Sequence, residues 1–180
     1  MPPNRKPYAV LLVEDTQQES LLRQALYLKG WTRHDMRIVK SPAGAGSGKA
    51  FVLSQFPSEL RELRRQLRAA VLLAVVDADQ QTTGEVLAAL KKSVADSGQA
   101  PVASEEPVAR LVPRRNVETW LWFLQGHLVN EGEDYKNKVG EVGCWKDEAA
   151  RWLAGCASSF DNAPPSLAES CAELQRVGLS

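Results

Sequence analysis

Ala69-Ala70-Val71-Leu72-Leu73-Ala74-Val75-Val76-Asp77-Ala78-Asp79 is the stretch that decides the fold. Eight apolar residues run without a polar interruption and then stop at two acids one residue apart. A strand with one wet face alternates polar and apolar residues; a strand without alternation is covered on both faces, as in a parallel sheet flanked by helices. Upstream, Tyr8–Val13 repeats the pattern and stops at Glu14-Asp15. Leu21, Leu22, Ala25, Leu26 and Leu28 then recur at helical spacing, with Thr16 the expected cap and Gly30 the expected stop. Met36–Val39 reads as a short second strand and Ser41–Lys49 (SPAGAGSGK) as a flexible loop. A charged helix is expected from Phe51 to Arg68, interrupted near Pro57.

Downstream, Gly84–Val94 reads as a helix, Asp96–Pro107 as a polar loop, Val108–Val112 as a short strand and Pro113-Arg114-Arg115 as a turn. Asn116 is expected to cap the aromatic helix NVETWLWFLQGHL. Beyond Asn130 the pattern weakens to two short helices, near Lys146–Leu153 and Leu167–Val177. Strands alternating with helices predict an α/β fold with a parallel sheet. Residues 1–130 form the expected catalytic domain, and 131–180 a C-terminal helical extension packed on it.

Composition narrows the class. Hydrophobic residues make up 44% and charged residues 24% of the 180, an ordinary balance for a soluble domain. No apolar run approaches the roughly 20 residues that span a bilayer, and Glu14 and Asp15 cut the N-terminal run too short for a secretory leader. Cys144, Cys156 and Cys171 are too widely spaced for a zinc knuckle and are read as reduced and structural, which makes the expected location cytoplasmic. Zero net charge gives no global electrostatic sign of a nucleic-acid binder. Bound cations would supply positive charge locally.

Ligands of such sheets sit at the carboxyl ends of the strands. Glu14 follows the first strand, Asp77 and Asp79 the third, and Glu118 lies just beyond the fourth. Oxygen ligands of this kind suit Mg²⁺ or Mn²⁺. Two such ions about 4 Å apart activate a water and stabilise the leaving oxygen of a phosphodiester. Asp77 and Asp79 face one site only if the chain turns there. Each acid also has an ordinary use: aspartate favours turns, and glutamate favours the first turn of a helix.

VLLVE (Val10–Glu14), VVDAD (Val75–Asp79) and the arginine-flanked RRNVETW (Arg114–Trp120) resemble, in order, the acidic motifs of Toprim domains. They are most similar to the small OLD-family and RloB-like anti-phage nucleases. The resemblance spans roughly Tyr8 to Leu128. It implies a Toprim-like (Rossmann-like), mostly parallel sheet and a metal-dependent nuclease, the effector of a bacterial defence system. Glu14 would then be the general base, Asp77 and Asp79 the metal pair and Glu118 the later acid, all four serving catalysis and metal. Expected partners are DNA or RNA, an ATPase protein and, as an assembly, a homodimer. Three departures stand out. Gln18 replaces the second acid expected four residues after Glu14, with Glu19 next door. Gln80–Glu85 (QQTTGE) replaces an Arg-Glu-Gly-Glu stretch, so strand passage is not implied. Lys136 or Lys138 could serve as the late lysine, though a solvated surface role is the ordinary reading.

Other patterns compete. The Glu14-Asp15 pair resembles that of a response-regulator receiver, but Ser54 stands where a phosphorylated aspartate would be expected and no Met-Pro turn follows Asp77. The alternative function is therefore a non-catalytic, receiver-like or degenerate Toprim interaction module. GAGSGKA (Gly44–Ala50) fails the P-loop pattern at Ala43 and Ala50, and no clean helix start is expected after it. It is read as a linker or as a loop rimming the site with Lys49. Arg61, Arg64, Arg65 and Arg68 share a helical face read as solvated and salt-bridged. Arg114 and Arg115, on the turn before Glu118, are the candidate nucleic-acid contacts. Trp120, Trp122 and Phe123 are read as core.

Overall fold

A computed structural model describes residues 6–44 and 46–179. The start of the N-terminal stretch read for a leader, Ala45 of the glycine-rich loop and Ser180 lie outside the described residues.

The sheet has strands β1 (Tyr8–Val13), β2 (Met36–Lys40), β3 (Ala70–Val75) and β4 (Val108–Leu111) in the order β2-β1-β3-β4, all parallel. The helices are α1 (Thr16–Leu28), α2 (Gly48–Arg65), α3 (Thr83–Asp96), α4 (Val117–Leu124), α5 (Lys136–Val139), α6 (Lys146–Ser158) and α7 (Pro165–Arg176). The α/β class expected from the sequence is the one observed.

Alternate residues of the strands feed two separate cores. Ala9, Leu11 and Val13 with Val71, Leu73 and Val75 pack toward α1, α4, α6 and α7. Val10 and Leu12 with Leu72 and Ala74 pack toward α2 and α3. This is why β1 and β3 read as unbroken apolar runs: neither face meets water. The C-terminal helices contribute Ala149, Trp152, Leu167 and Leu174 to the first core, so the extension packs on the sheet domain itself.

Three local readings need correction. Asp15, not Thr16, caps α1: its carboxylate accepts the Gln18 N–H at 3.0 Å. α2 runs through Pro57 without a break. The proline forfeits one helical hydrogen bond, but Val52, Phe56 and Leu60 bury fully along the same helix and hold it together. A helix also starts directly after the glycine-rich loop, at Gly48, with Ser47 accepting the Ala50 N–H at 3.3 Å. Smaller shifts place Asp96 as the last residue of α3 and leave Asn116 without a side-chain cap bond.

The cysteines also depart from expectation. Cys156 in α6 and Cys171 in α7 form a disulfide, with Cα atoms 4.9 Å apart, and Cys144 is free and exposed. The helical hairpin brings together two thiols that sequence spacing alone does not associate. A bond closing a loop of this length contributes about 3 kcal/mol in the chain-entropy picture. Cys171→Ala is expected to lower the melting temperature by about 5–10 °C, and reductant should lower the wild type to the same point while leaving the variant unmoved. Equal melting of oxidised and reduced wild type would show that the bond is dispensable.

Candidate active site

β1 and β3 are neighbours, while β2 and β4 diverge from them to either side, so the chain reverses its winding direction between β1 and β3. Crevices of this kind are where open α/β sheets bind ligands. Glu14 and Asp77 stand at its two lips.

Hydrogen bonds tie the lips together. Glu14 Oε1 accepts the Asp77 backbone N–H at 2.7 Å. Gln18, one helical turn into α1, accepts the Glu14 N–H at 2.8 Å and donates to Asp77 Oδ1 at 2.9 Å. The β3–β4 ladder continues past its strands: Val76, Ala78 and Asp79 donate to the carbonyls of Leu111, Pro113 and Arg115 at 3.0, 2.9 and 2.8 Å. That rail carries the Asp77–Asp79 turn alongside the loop leading to α4, and so brings Glu118 to the same edge. Asp79 adopts φ 54°, a left-handed conformation that aspartate tolerates better than most residues. Asp77 is buried, whereas the Asp79 side chain is 53% exposed.

The electrostatics follow from burial and crowding. Desolvation is the main cause that pushes Glu14 up to about 7, with Asp79 and Asp15 adding to it and the Asp77 N–H and Lys49 opposing. Burial, then Glu14, Asp15 and Glu118, holds Asp77 well above the usual carboxylate range. Burial also raises Glu118, helped by Asp15 and Asp134, and its Oε2 is buried with no hydrogen-bond partner. Lys136 sits within electrostatic reach of Glu118, Asp77, Asp134 and Asp79. Asp77 is thus within electrostatic reach of Glu14, Asp15 and Glu118, and Glu14 of Asp79 and Asp15.

Several neighbours are already committed. Lys49 Nζ bonds Asp79 Oδ2 at 2.8 Å and also donates to Ala78 O and Gln81 Oε1, each at 3.1 Å. Arg114 directs its guanidinium to the carbonyls of Asp79, at 3.0 Å, and Gln81, bracing the acidic turn. Arg115 has φ 68°, and its Nε is buried without a hydrogen-bond partner. Glu19 is taken by Arg23 and Lys40, at 2.8 and 2.7 Å. Of the arginines expected on one helical face, Arg64 in α2 pairs with Glu106, while Arg68 lies beyond the end of the helix and stacks on Tyr8. Trp120 is buried, as expected, and donates to Ser166 Oγ at 2.8 Å.

Gly48 has a steric reason. A Cβ there would lie 2.7 Å from Glu14 Cβ and 3.2 Å from Glu14 Cα, so only glycine lets the start of α2 press on the acid edge. Gly48→Ala is expected to cost about 1–3 kcal/mol, despite alanine's better helix propensity. Chemical denaturation measures this, and an unchanged midpoint would mean that the two backbones are not held so close.

Among the described residues, no three Asp, Glu, His or Cys side chains form a set arranged to hold a metal ion. Mg²⁺ does not need such a cage, because it commonly uses one or two carboxylates and keeps several waters. The donors fit that mode. They are all oxygens, one of them is a buried carboxylate oxygen without a partner, and three of the acids are raised chiefly by burial, with neighbouring acids adding to it. Zinc, which favours nitrogen and sulfur, has no such donors at this edge.

Sequence reasoning passed over Asp15 as a metal-site neighbour and Gln18 as the bridge; Asp15 was visible only as half of the acidic pair after β1. No protein-family model, no curated protein and no solved structure matches this chain.

Proposed function

We propose that this chain is a Toprim-like, divalent-metal-dependent nuclease that cleaves nucleic-acid phosphodiesters with Glu14, Asp77, Asp79 and Glu118. One observation carries the reading: acids from the ends of β1 and β3 and the start of α4 are buried within electrostatic reach of Asp77, and Gln18, Lys49 and Lys136 offset their charge only in part. Evolutionarily neutral turn acids have no reason to be buried against one another at that energetic cost.

In this reading one or two of the buried carboxylates of Glu14, Asp77 and Glu118 would hold Mg²⁺ or Mn²⁺ together with waters, with Asp79 at the exposed rim. The cation would neutralise charge on the phosphate and help ionise the attacking water. Glu14, held at the lip of the crevice by the Asp77 N–H, would accept the proton from that water as general base. The Asp77 N–H fixes the Glu14 carboxylate, and Gln18 fixes Asp77. Arg114 holds the turn that presents Asp79; Arg115 and Lys136 remain the nearer candidates for phosphate contact.

An ATPase partner, a homodimer and a role as effector of a bacterial anti-phage defence system belong to the same proposal. So does a cytoplasmic location. Among the described residues no helix is long and apolar enough to cross a membrane, but the Cys156–Cys171 bond is unusual for a reducing compartment.

The second reading, a non-catalytic receiver-like or degenerate Toprim module, draws on Gln18 and Lys49, which satisfy Asp77 and Asp79 from within the chain. Incubation with plasmid, single-stranded DNA and total tRNA, in Mg²⁺, Mn²⁺ or EDTA, separates the two. Cleavage that needs the cation and vanishes in Asp77→Asn supports the nuclease. Intact substrates in every arm favour the module.

A further inference from the structure

We infer that the Lys49 ammonium fills the second cation position of the acid edge, so that the site takes a single divalent ion. The inference rests on the metal-dependent reading above and says what that reading leaves open, namely how many ions work there.

Lys49 is not a surface lysine that happens to meet an acid. Its side chain is only 16% exposed. An ammonium has three protons to donate, and here a carboxylate oxygen of Asp79, the Ala78 carbonyl and the Gln81 amide oxygen each stand in position to receive one. Carboxylate, backbone carbonyl and side-chain amide are the oxygen donors that hard cations take from proteins. Lys49 thus occupies a socket of metal-type ligands with a covalently tethered charge.

The delivery of that charge is built into the backbone. Lys49 lies in the first turn of α2, and Gly48 beside it lets this turn approach Glu14 more closely than any side chain would permit. Arg114 braces the other side of the socket through the Asp79 and Gln81 carbonyls.

The rest of the edge is arranged for one ion. Gln18 puts a neutral amide on Asp77 where a further carboxylate would have called for more positive charge. The Glu118 Oε2, on a residue only 6% exposed, has no hydrogen-bond partner, and Lys136 lies within electrostatic reach of that residue. Two ions about 4 Å apart would need Asp79 as a shared or second ligand, and Asp79 is already bound to the ammonium. Lys49 is in this sense a positioning residue that fixes Asp79 and supplies one positive charge.

The test counts ions. Metal-free wild type, Lys49→Arg, Lys49→Gln and Lys49→Met are titrated with Mn²⁺ by equilibrium dialysis, with bound ions followed by electron paramagnetic resonance. Melting curves in EDTA establish that each variant is folded. Wild type and Lys49→Arg are expected to bind one Mn²⁺. Lys49→Gln and Lys49→Met should gain a second, weaker site and a spin-coupled signal from paired ions. Two ions in the wild type, or a single ion of unchanged affinity in every variant, overturns the inference and leaves the metal-dependent reading standing. No Mn²⁺ bound by any of them overturns that reading and the inference together. Lys49→Met guards against a glutamine that recreates the original hydrogen bonds.

Discussion

Asp77→Asn is expected to fold at least as stably as the wild type at pH 8 without cation, while its metal-dependent cleavage falls by about 10²–10³-fold or more. Both halves come from the same burial. Asp77 is enclosed, and its desolvation with Glu14, Asp15 and Glu118 nearby disfavours the ionised form. Asparagine has nearly the shape of a protonated carboxyl and keeps the oxygen that accepts from Gln18 Nε2 at 2.9 Å. It removes a charge the apo fold does not want. Chemistry has the opposite need, because a neutral amide neither binds a divalent ion firmly nor offsets charge developing on the phosphate. The added stability that Mn²⁺ gives the native state should shrink in the variant as well.

Asp79→Asn should not behave alike. Asp79 is exposed and paired with Lys49, so its loss removes a partly screened ion pair worth at most about 1 kcal/mol. Asp96→Asn is the control: its pairing with Lys92 is exposed at the end of α3, remote from the acid edge. Denaturation curves with and without Mn²⁺, beside the cleavage assay, read all three. An Asp77→Asn protein that unfolds would assign the residue a structural role, and one that cleaves normally would remove it from the chemistry.

The strands were legible because burial on both faces leaves a mark in the chain: β1 and β3 lack alternation, and alternate side chains do enter different cores. The position of the acids was legible for a related reason, since a strand's end and a parallel order together imply an edge. What the acids do to each other was not. Gln18 reaches Asp77 across 59 residues, and Lys49 reaches Asp79 only because α2 begins at Gly48 against Glu14. Neither contact has a periodicity or a spacing to betray it. Arg114 looked like a free cation on a turn, yet the backbone carbonyls of Asp79 and Gln81 claim it. Cys156 and Cys171 were missed because a helical hairpin, not a spacing motif, sets their distance.

Without divalent cation, the protein should lose stability as pH rises from about 4.5 to about 7. Glu14 titrates at about 7 in the fold against 4.5 when unperturbed. Between those values the folded chain holds a proton that the unfolded chain has released, so each pH step upward favours unfolding. Over the whole window this amounts to about 3 kcal/mol as an upper figure, less what solvent at the partly open Glu14 screens. Asp77 and Glu118, both raised, push the same way. Glu106, Asp134 and Glu173 are lowered by their partners, so their contribution is present above the unfolded carboxylate range and is lost only as pH falls through their still lower folded values. The two trends occupy different windows, and maximum stability in EDTA should fall near pH 4–5. Glu14→Gln isolates the effect, since its amide oxygen can still accept the Asp77 N–H. The variant should match the wild type near pH 4.5 and exceed it by about 2–3 kcal/mol at pH 8, roughly 5–10 °C in melting temperature. Mn²⁺ competes with protons for the same oxygens, so it should raise the wild-type melting temperature at pH 8 and hardly at all at pH 5. Parallel pH curves for wild type and Glu14→Gln would mean that Glu14 is not the group holding the proton. A cation effect of equal size at both pH values would place the ion away from the acid edge.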